Sequence, residues 1–343
     1  MTLQGSPFLH QPVRVADLMR EVLLALLPGV LVFVWFVGFA LVAQILLASV
    51  VALLAEALLL RLREKPLKPH LTDGSALVTA WLIALAFPPL SPWWLTTTGV
   101  LLAIVVAKQL YGGLGQNPFN PAMVAFTGCI VAFPAQMAHW PTLGLTAPLT
   151  EQLGVIFGVS APLDALTGAT PLSVIKASGG SGLYTSIQDI LTQQSLSGAF
   201  AGKGWEWVAT AYLVGGLWLL YRRVITWQAP LAFLGGMALL SFCFWQFDSA
   251  HYANPVFQLF SGGAMLGAFF IVTDPVSSCT TPRGKLIFGC GAGMLAYLIR
   301  VFGAFPDGIG FAVLIMNVCA PLIDRYTQPP VFGAKKGKGG GNA

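Results

Sequence analysis

The pattern of hydrophobic positions consists of long apolar segments that are separated by short polar ones. A helix needs about 20 apolar residues to cross the hydrocarbon core of a bilayer. The pattern therefore predicts an all-α polytopic membrane protein with ten transmembrane helices, over residues 22–39, 41–60, 73–89, 93–109, 119–135, 205–221, 229–247, 256–274, 284–303 and 308–324. The third segment is short and ends at Pro88-Pro89, which predicts a broken or partial helix.

The composition supports a membrane environment. Of the 343 residues, 56% are hydrophobic and 9% are charged, whereas about 25% are charged in a typical soluble domain. A chain with so few charged residues cannot cover a water-exposed surface. Residues 1–20 include Arg14, Asp17 and Arg20 and do not show the pattern of a cleavable signal peptide. We therefore expect an integral membrane protein.

The basic residues orient the predicted helices, because Lys and Arg are enriched on the cytoplasmic side of membranes. If the N-terminus is cytoplasmic, the cytoplasmic side holds fifteen of the eighteen Lys and Arg residues. These are Arg14, Arg20, Arg61, Arg63, Lys65, Lys68, Lys108, Arg222, Arg223, Arg283, Lys285, Arg325, Lys335, Lys336 and Lys338. The predicted organisation is a cytoplasmic segment 1–21, a five-helix half 22–135, a periplasmic loop 136–204, a second five-helix half 205–324 and a basic cytoplasmic tail 325–343.

The two halves resemble each other at matching positions. Gly74-Ser-Ala-Leu, followed by Phe87-Pro-Pro, is similar to Ser261-Gly-Gly-Ala-Met, followed by Asp274-Pro. Because each half has an odd number of predicted spans, related halves would have inverted orientations. Broken helices at matching points of inverted halves usually frame a site at the membrane midplane. The alternative is that these small residues only allow close helix packing.

Thr170 is the first candidate for a chemical role. It follows Gly168 and Ala169 in the predicted periplasmic loop, so its hydroxyl is sterically open and could accept a phosphate ester. Thr170-Pro171 is also a typical helix start, with Thr as the N-cap and Pro at the first helical position. From these residues alone, a cofactor anchor and a helix cap are both open interpretations.

A second candidate is the stretch from residue 108 to residue 122, which is rich in glycine, proline and side-chain amides. Irregular backbone at membrane depth occurs only where it is buried in protein or lines a cavity. Asn117 and Asn120 could bind a neutral polar ring, such as an uncharged heterocycle with a hydroxylated tail. The alternative is that both asparagines cap the next helix, which would have Pro121 at its first position.

Ionisable residues in or near membrane spans are costly and often functional. Asp274 and Asp307 lie at predicted helix breaks and are candidates for an ion pathway. Capping, or pairing of Asp307 with Arg300, would explain them equally well. Glu56 and Lys108 are expected only to extend toward the membrane interface. The cysteines and histidines lack metal-ligand spacing, so we predict no metal site.

Six blocks of residues, spread over nearly the whole chain, carry a family resemblance. They are Gln44-Ile-Leu-Leu-Ala-Ser-Val-Val-Ala-Leu-Leu-Ala-Glu-Ala, Ala107-Lys-Gln-Leu-Tyr-Gly-Gly-Leu-Gly-Gln-Asn-Pro-Phe-Asn-Pro-Ala-Met, Gly168-Ala-Thr-Pro-Leu, Met265-Leu-Gly-Ala-Phe-Phe-Ile-Val-Thr-Asp-Pro-Val, Pro306-Asp-Gly and Pro321-Leu-Ile-Asp. They resemble the RnfD/NqrB family, the membrane subunits of the Rnf oxidoreductase and of the sodium-pumping NADH:quinone oxidoreductase. The short N-terminal segment is similar to the RnfD branch.

The resemblance implies a fold and cofactors. In this family the last Thr of a Ser/Thr-Gly-Ala-Thr motif carries FMN through a phosphoester that a separate flavin transferase makes, and the matching residue is Thr170. Two family asparagines are associated with non-covalent riboflavin, and they match Asn117 and Asn120. The family fold is urea-transporter-like, with two inverted five-helix repeats.

The resemblance also implies a function. The chain would be a flavin-carrying subunit of a bacterial inner-membrane complex that couples electron transfer of the NADH or ferredoxin type to ion translocation. It would act as a translocase-type oxidoreductase only within that complex, with the other Rnf subunits and the flavin transferase as partners and no role for nucleic acid. No dinucleotide fingerprint or cysteine cluster points to an NADH or ferredoxin site of its own. The alternative is a urea-transporter-like channel or a structural scaffold without redox function.

Overall fold

The computed structural model of the protein describes residues 14–160, 167–181, 198 and 201–329. The first thirteen residues of the predicted cytoplasmic segment, parts of the predicted periplasmic loop and most of the basic tail lie outside the described residues. In the described ranges the chain is mostly helical, and two short strands form an antiparallel pair.

The helices and strands follow the predicted order of segments. The first half contains α1 (Val15–Val37), α2 (Ala40–Leu62), α3 (Leu67–Leu71), α4 (Ser75–Ala86), α5 (Trp93–Leu101), which continues as a π-helix (Leu102–Gln109), and α6 (Pro121–Ala132). The connection contains α7 (Pro134–Ala138), β1 (Trp140–Pro141), α8 (Leu149–Ile156), β2 (Thr167–Gly168) and α9 (Pro171–Ser181). The second half contains α10 (Trp205–Tyr221), α11 (Gln228–Phe247), α12 (Pro255–Phe260), α13 (Ala264–Leu266), which continues as a π-helix (Gly267–Ile271), α14 (Pro282–Phe302) and α15 (Ile309–Thr327).

Five of these helices, α1, α2, α11, α14 and α15, are long and apolar enough to cross a membrane. Their outward faces carry large exposed hydrophobic side chains, as expected for helices that contact lipid. The described residues therefore support a multi-pass membrane protein. The arrangement of ten spans in two inverted repeats stays a prediction.

Glycine and proline explain where the shorter helices begin and end. α4 ends at Ala86, before the Pro88-Pro89 pair, so the predicted short helix is confirmed. Gly74 precedes α4 with φ of +78°, and Gly262 separates α12 from α13 with φ of +63°. Both values lie in the left-handed region, which favours glycine because it lacks a Cβ. The segment expected to be helical over 256–274 is therefore interrupted at residues 261–263.

Both π-helical segments lie in helices that are well packed in the core. A π-helical turn displaces the side chains that follow it from the positions they would have in an α-helix, and such turns are frequent at functional sites. At the end of the first π-helix, Lys108 and Gln109 are buried. In the second, every residue from 267 to 271 is buried.

The helices of the two halves pack in a similar order. α2 packs on α4 and α5, and α5 on α6, while α11 packs on α14 and α14 on α15. The halves meet where α1 packs on α10 and where α6 packs on α15. Small residues permit the closest contact, since a side chain at Gly289 or Gly293 of α14 would collide with the backbone of α11.

Candidate functional site

Thr170 is the N-cap of α9. Its Oγ1 accepts a hydrogen bond from the backbone N–H of Ser173 at 3.2 Å, and its carbonyl oxygen accepts one from the N–H of Val174 at 3.0 Å. Pro171 is the first helical residue. The predicted helix cap is therefore confirmed. Thr170 is half-buried, so capping leaves part of the residue accessible.

The strand pair fixes the segment that leads to this cap. β1 and β2 are antiparallel, with Trp140 opposite Gly168 and Pro141 opposite Thr167. A side chain at Gly168 would meet the hydroxyl of Thr142, so the two segments approach each other closely at this position. The motif before α9 is thus held against the segment that carries Trp140.

A cavity of about 370 Å³ opens beside the cap. Its lining comes from both halves and from the connection between them, and includes Phe33, Met123, Phe126, Met137, Trp140, Thr170, Ser173, Trp205, Tyr212, Gly262, Gly263, Phe305 and Asp307. Ligand pockets in proteins usually have volumes of about 300–1,000 Å³ and mostly apolar walls with a few polar groups. This cavity has the size and lining of a small-molecule site.

Aromatic side chains form much of the wall. The rings of Trp140 and Trp205 meet edge to face with centroids 5.6 Å apart, and the ring of Phe33 lies 5.8 Å from that of Trp205. Aromatic rings in such arrangements hold each other in fixed orientations. The wall therefore offers rigid, flat surfaces to a planar ligand.

Asp307 lies on the polar side of the cavity and is paired with Arg300. The two guanidinium nitrogens Nε and Nη2 of Arg300 lie 3.2 and 3.3 Å from the two carboxylate oxygens. The same oxygens accept hydrogen bonds from the backbone N–H groups of Gly263, at 2.8 Å, and Ile309, at 3.3 Å. The interpretation of Asp307 as the partner of Arg300 is confirmed, and its role in ion transport stays a prediction.

Lys176 connects α9 to the second half. Its Nζ donates to the carbonyl oxygens of Arg300 and Val301, both at 2.9 Å, at the C-terminal end of α14. A cation at a helix C-terminus is favourable because the last carbonyl groups lack helical partners. Burial lowers the pKa of the Lys176 ammonium. These contacts fix the orientation of α9, and with it the position of Thr170.

Asn120 lies in a different polar cluster. It caps α6, since its Oδ1 accepts from the N–H of Met123 at 3.2 Å, and its own N–H donates to Oδ1 of Asn317 at 3.1 Å. Asn317 in turn donates to the carbonyl oxygen of Ser277 at 2.9 Å. The capping interpretation is confirmed for Asn120, which also links the first half to the second.

Asn117 is buried but does not cap α6, so the capping interpretation is wrong for this residue. Its Nδ2 donates to the carbonyl oxygen of Phe119 at 3.0 Å, because the chain turns back before the helix starts. Among the described residues, its Oδ1 has no hydrogen-bond partner. A buried acceptor without a partner is costly and rare in folded proteins.

Asp274 joins the cluster of Asn120 through Ser277. Its carboxylate accepts from the hydroxyl of Ser277 at 2.7 Å and from the N–H of Val276 at 3.3 Å. Since the carbonyl group of Ser277 binds Asn317, these side chains form one network. Neither Asn117 nor Asn120 lines the cavity beside Thr170, although Met123, one turn into α6, does. The predicted site residues therefore fall into two groups.

The expectation that Glu56 and Lys108 extend toward the interface is wrong. Nζ of Lys108 lies 2.7 Å from Oε1 of Glu56, and both side chains are 2% exposed. Lys108 also donates to the hydroxyl of Ser75 at 2.8 Å, and Gln109 donates to Glu56 at 2.9 Å. Lys108 and Gln109 lie at the end of the π-helix and face the core, so they pair inside the protein instead of reaching the surface.

Sequence reasoning missed several side chains that complete these sites. Trp205 and Tyr212 are seven residues apart on α10, a spacing that places them on one face of a helix and could have indicated a shared contact. Asn317 stands within an apolar span, where a polar side chain is a signal in its own right. Their partners are distant in sequence, so no local pattern identifies them.

Comparisons with known proteins agree with the whole-chain resemblance. The model of the NQR2, RnfD, RnfE family matches residues 2–333. Two similar proteins are the D subunits of the ion-translocating oxidoreductase complex from Escherichia coli (strain SE11) and from Escherichia coli (strain K12). Each is 45% identical over 350 aligned positions, which cover 98% of this chain and 99% of the relative.

Proposed function

The chain belongs to the NQR2, RnfD, RnfE family, and on that premise we propose that it is a flavin-carrying membrane subunit of an ion-translocating oxidoreductase complex. Its E. coli relatives are named as components of such a complex. The chain works together with other membrane subunits, and oxidoreductase activity belongs to the assembled complex. The observation that carries the flavin proposal is the partly exposed helix cap at Thr170 beside an aromatic cavity of ligand size.

Thr170 is the attachment point for FMN. A flavin transferase would present a flavin nucleotide whose phosphorus carries a phosphoanhydride bond. Oγ1 of Thr170 would bond to that phosphorus and lose its proton, while the phosphoanhydride bond breaks and the other phosphate leaves with the bonding electrons. Thr170 would hold the ester phosphate at the N-terminus of α9, an eleven-residue helix. The dipole of the helix favours a negative charge there.

The cavity is suited to the ring of the flavin. Its walls are mainly Trp, Phe and Met side chains, which pack well against a flat, polarisable ring. The bound flavin would supply one- and two-electron chemistry, while the protein sets its position and electrostatic environment. Lys176 and the strand pair hold the attachment point in place, and the apolar wall excludes water.

A second flavin, riboflavin without a covalent bond, occupies the region of Asn117 and Asn120. The unpartnered Oδ1 of Asn117 is a hydrogen-bond acceptor for a neutral polar ring or a hydroxylated chain. α6 starts at Asn120, and its residues Met123, Phe126 and Ile130 line the cavity beside Thr170. One helix therefore connects the two proposed flavin sites, as a route for electrons would require.

The membrane arrangement follows the sequence predictions. Ten spans form two inverted, urea-transporter-like repeats, with both termini in the cytoplasm and Thr170 on the periplasmic side of a bacterial inner membrane. The similar packing order of α2, α4, α5 and α6 and of α11, α14 and α15 supports the repeat. Asp274, which lies in the network of Asn120, and Asp307, which borders the cavity, contribute to the ion pathway.

In-gel flavin fluorescence after denaturing electrophoresis tests the proposal. The chain is produced together with its flavin transferase, as wild type, as Thr170→Ala and as Thr146→Ala, which removes an exposed hydroxyl from the same connection. Wild type and Thr146→Ala should fluoresce, and Thr170→Ala should not. A wild-type band without fluorescence would contradict the flavin proposal and favour a channel or scaffold.

A further inference from the structure

Tyr212 carries a hydroxyl whose position is not explained by the protein alone. The residue is 5% exposed, and among the described residues its hydroxyl has no hydrogen-bond partner. Burying an unpaired hydroxyl costs free energy, and buried tyrosines usually find a partner. Tyr212 also lines the cavity beside Thr170. A ligand in the cavity would supply the missing partner.

The ring of Tyr212 is held in one place. It packs so closely on α1 that a side chain at Gly29 would overlap it, and it meets the ring of Phe270 edge to face at 6.2 Å. Trp205, Val208 and Tyr212 all line the cavity from one face of α10. Because the ring has little room to move, the direction of its hydroxyl is set by the fold.

The other hydroxyl and carboxylate groups of the cavity already have partners. Thr170 and Ser173 bind each other, with Thr170 Oγ1 donating to Ser173 Oγ at 3.1 Å. Both oxygens of Asp307 are bound by Arg300 and by backbone N–H groups. Among the described lining residues, the hydroxyl of Tyr212 is therefore the one hydroxyl without a hydrogen-bond partner in the protein.

We infer that the Tyr212 hydroxyl donates a hydrogen bond to a carbonyl oxygen or ring nitrogen of the flavin ring in this cavity, an inference that rests on the proposed function. Reduction increases the electron density on these ring atoms, so a fixed donor stabilises the reduced form more than the oxidised form. Tyr212 thus binds the ring at its polar edge and raises the tendency of the covalent flavin to accept electrons.

Tyr212→Phe tests the inference, because it removes the hydroxyl and keeps the ring. The purified complex, with its covalent flavin attached, is titrated electrochemically while the flavin absorbance is recorded. In-gel fluorescence should be unchanged, whereas the ratio of reduced to oxidised flavin at a fixed potential should fall about two- to tenfold, as expected for one lost hydrogen bond. The absorption band of the oxidised flavin should shift as well.

Tyr297→Phe is the matched control. Tyr297 is also fully buried, but it does not line the cavity, so this variant should have the wild-type potential and spectrum. An unchanged potential and spectrum in Tyr212→Phe, with flavin attached, would overturn the role of Tyr212 and leave the proposed function intact. A wild-type chain without covalent flavin would overturn the proposed function instead.

Thermal unfolding in the Thr170→Ala background provides a second, independent measurement. Without the flavin the hydroxyl of Tyr212 has nothing to bind, so adding Tyr212→Phe should leave the unfolding temperature unchanged or raise it. In the flavin-loaded chain the same substitution should lower the unfolding temperature. Equal effects in both backgrounds would show that the hydroxyl acts within the protein and would overturn the inference.

Discussion

Each half of the molecule has an ion pair with a buried cation, and the two pairs differ in how completely their hydrogen bonds are satisfied. Arg300 and Asp307 form a forked pair whose carboxylate oxygens both have further hydrogen bonds. Glu56 and Lys108 form a single contact, and among the described residues Oε2 of Glu56 has no partner. The first is a saturated network, while the second leaves an acceptor unused.

The difference between the two ion pairs follows from the backbone around each of them. Arg300 reaches across the break at residues 261–263, and its Nη1 and Nη2 donate to the carbonyl oxygens of Gln258, at 2.6 Å, and Ser261, at 3.1 Å. It therefore replaces the helical partners that the break removes. Lys108 instead contacts two side chains, those of Glu56 in α2 and Ser75 in α4. The saturated pair holds a broken helix together, whereas the incomplete pair joins side chains from α2, α4 and the first π-helix.

The largest effect is expected for Arg300→Met, which breaks the saturated pair. Removing one partner of a buried ion pair typically costs about 3–5 kcal/mol, and here the 23% exposed Asp307 loses its counterion while it keeps its backbone hydrogen bonds. The carbonyl groups of Gln258 and Ser261 also lose their donor. The free energy of unfolding in detergent should fall accordingly, as thermal unfolding would show.

Arg222→Met is the control for this experiment. Arg222 pairs with Glu21 at 2.8 Å, but its side chain is 50% exposed. Exposed pairs contribute little because water and salt screen them. Arg222→Met should therefore unfold at nearly the wild-type temperature. Equal losses in the two variants would remove the distinction between saturated and exposed pairs.

A smaller loss of stability is expected for Lys108→Met, which breaks the incomplete pair of Glu56 and Lys108. Fewer groups lose a partner than in Arg300→Met, so the destabilisation should be about 3 kcal/mol, the lower end of the range for buried pairs. The double variant Glu56→Leu with Lys108→Met removes both charges and should recover most of that loss. A double variant as unstable as Lys108→Met alone would show that the site needs its charges for folding.

Loss of the N-cap of α9 should have a still smaller effect, confined to the connection between the two halves. In chain made without the flavin transferase, Thr170→Ala removes the bond from Ser173 and should cost about 1 kcal/mol. Hydrogen exchange at the N–H of Ser173 should become faster, while exchange in α6 should not change. Thr170→Ser keeps the acceptor and should behave like wild type.

The helix starts could be predicted from sequence because their signals are local. Thr170 and Asn120 each precede a proline, and both cap the helix that the proline begins. The inward orientation of the Lys108 side chain could not be predicted, since it depends on a π-helix that has no clear signature in the sequence. The cavity could not be predicted either, because its lining residues, such as Tyr212 and Thr170, come together only when the two halves and the connection pack.

The smallest effect concerns the pH dependence of the contact between Lys176 of α9 and the end of α14 in the second half. Burial lowers the pKa of Lys176 in the folded protein, so the unfolded chain binds more protons between that lowered value and the ordinary lysine value of about 10.4. Stability therefore rises with pH across this window. From neutral to alkaline buffer, the unfolding temperature of wild type should increase relative to that of Lys176→Met. Lys203→Met is the control, because it removes an exposed lysine from the same connection. Its unfolding temperature should change with pH as that of wild type does. Parallel curves for wild type and Lys176→Met would show that folding does not lower the pKa of Lys176.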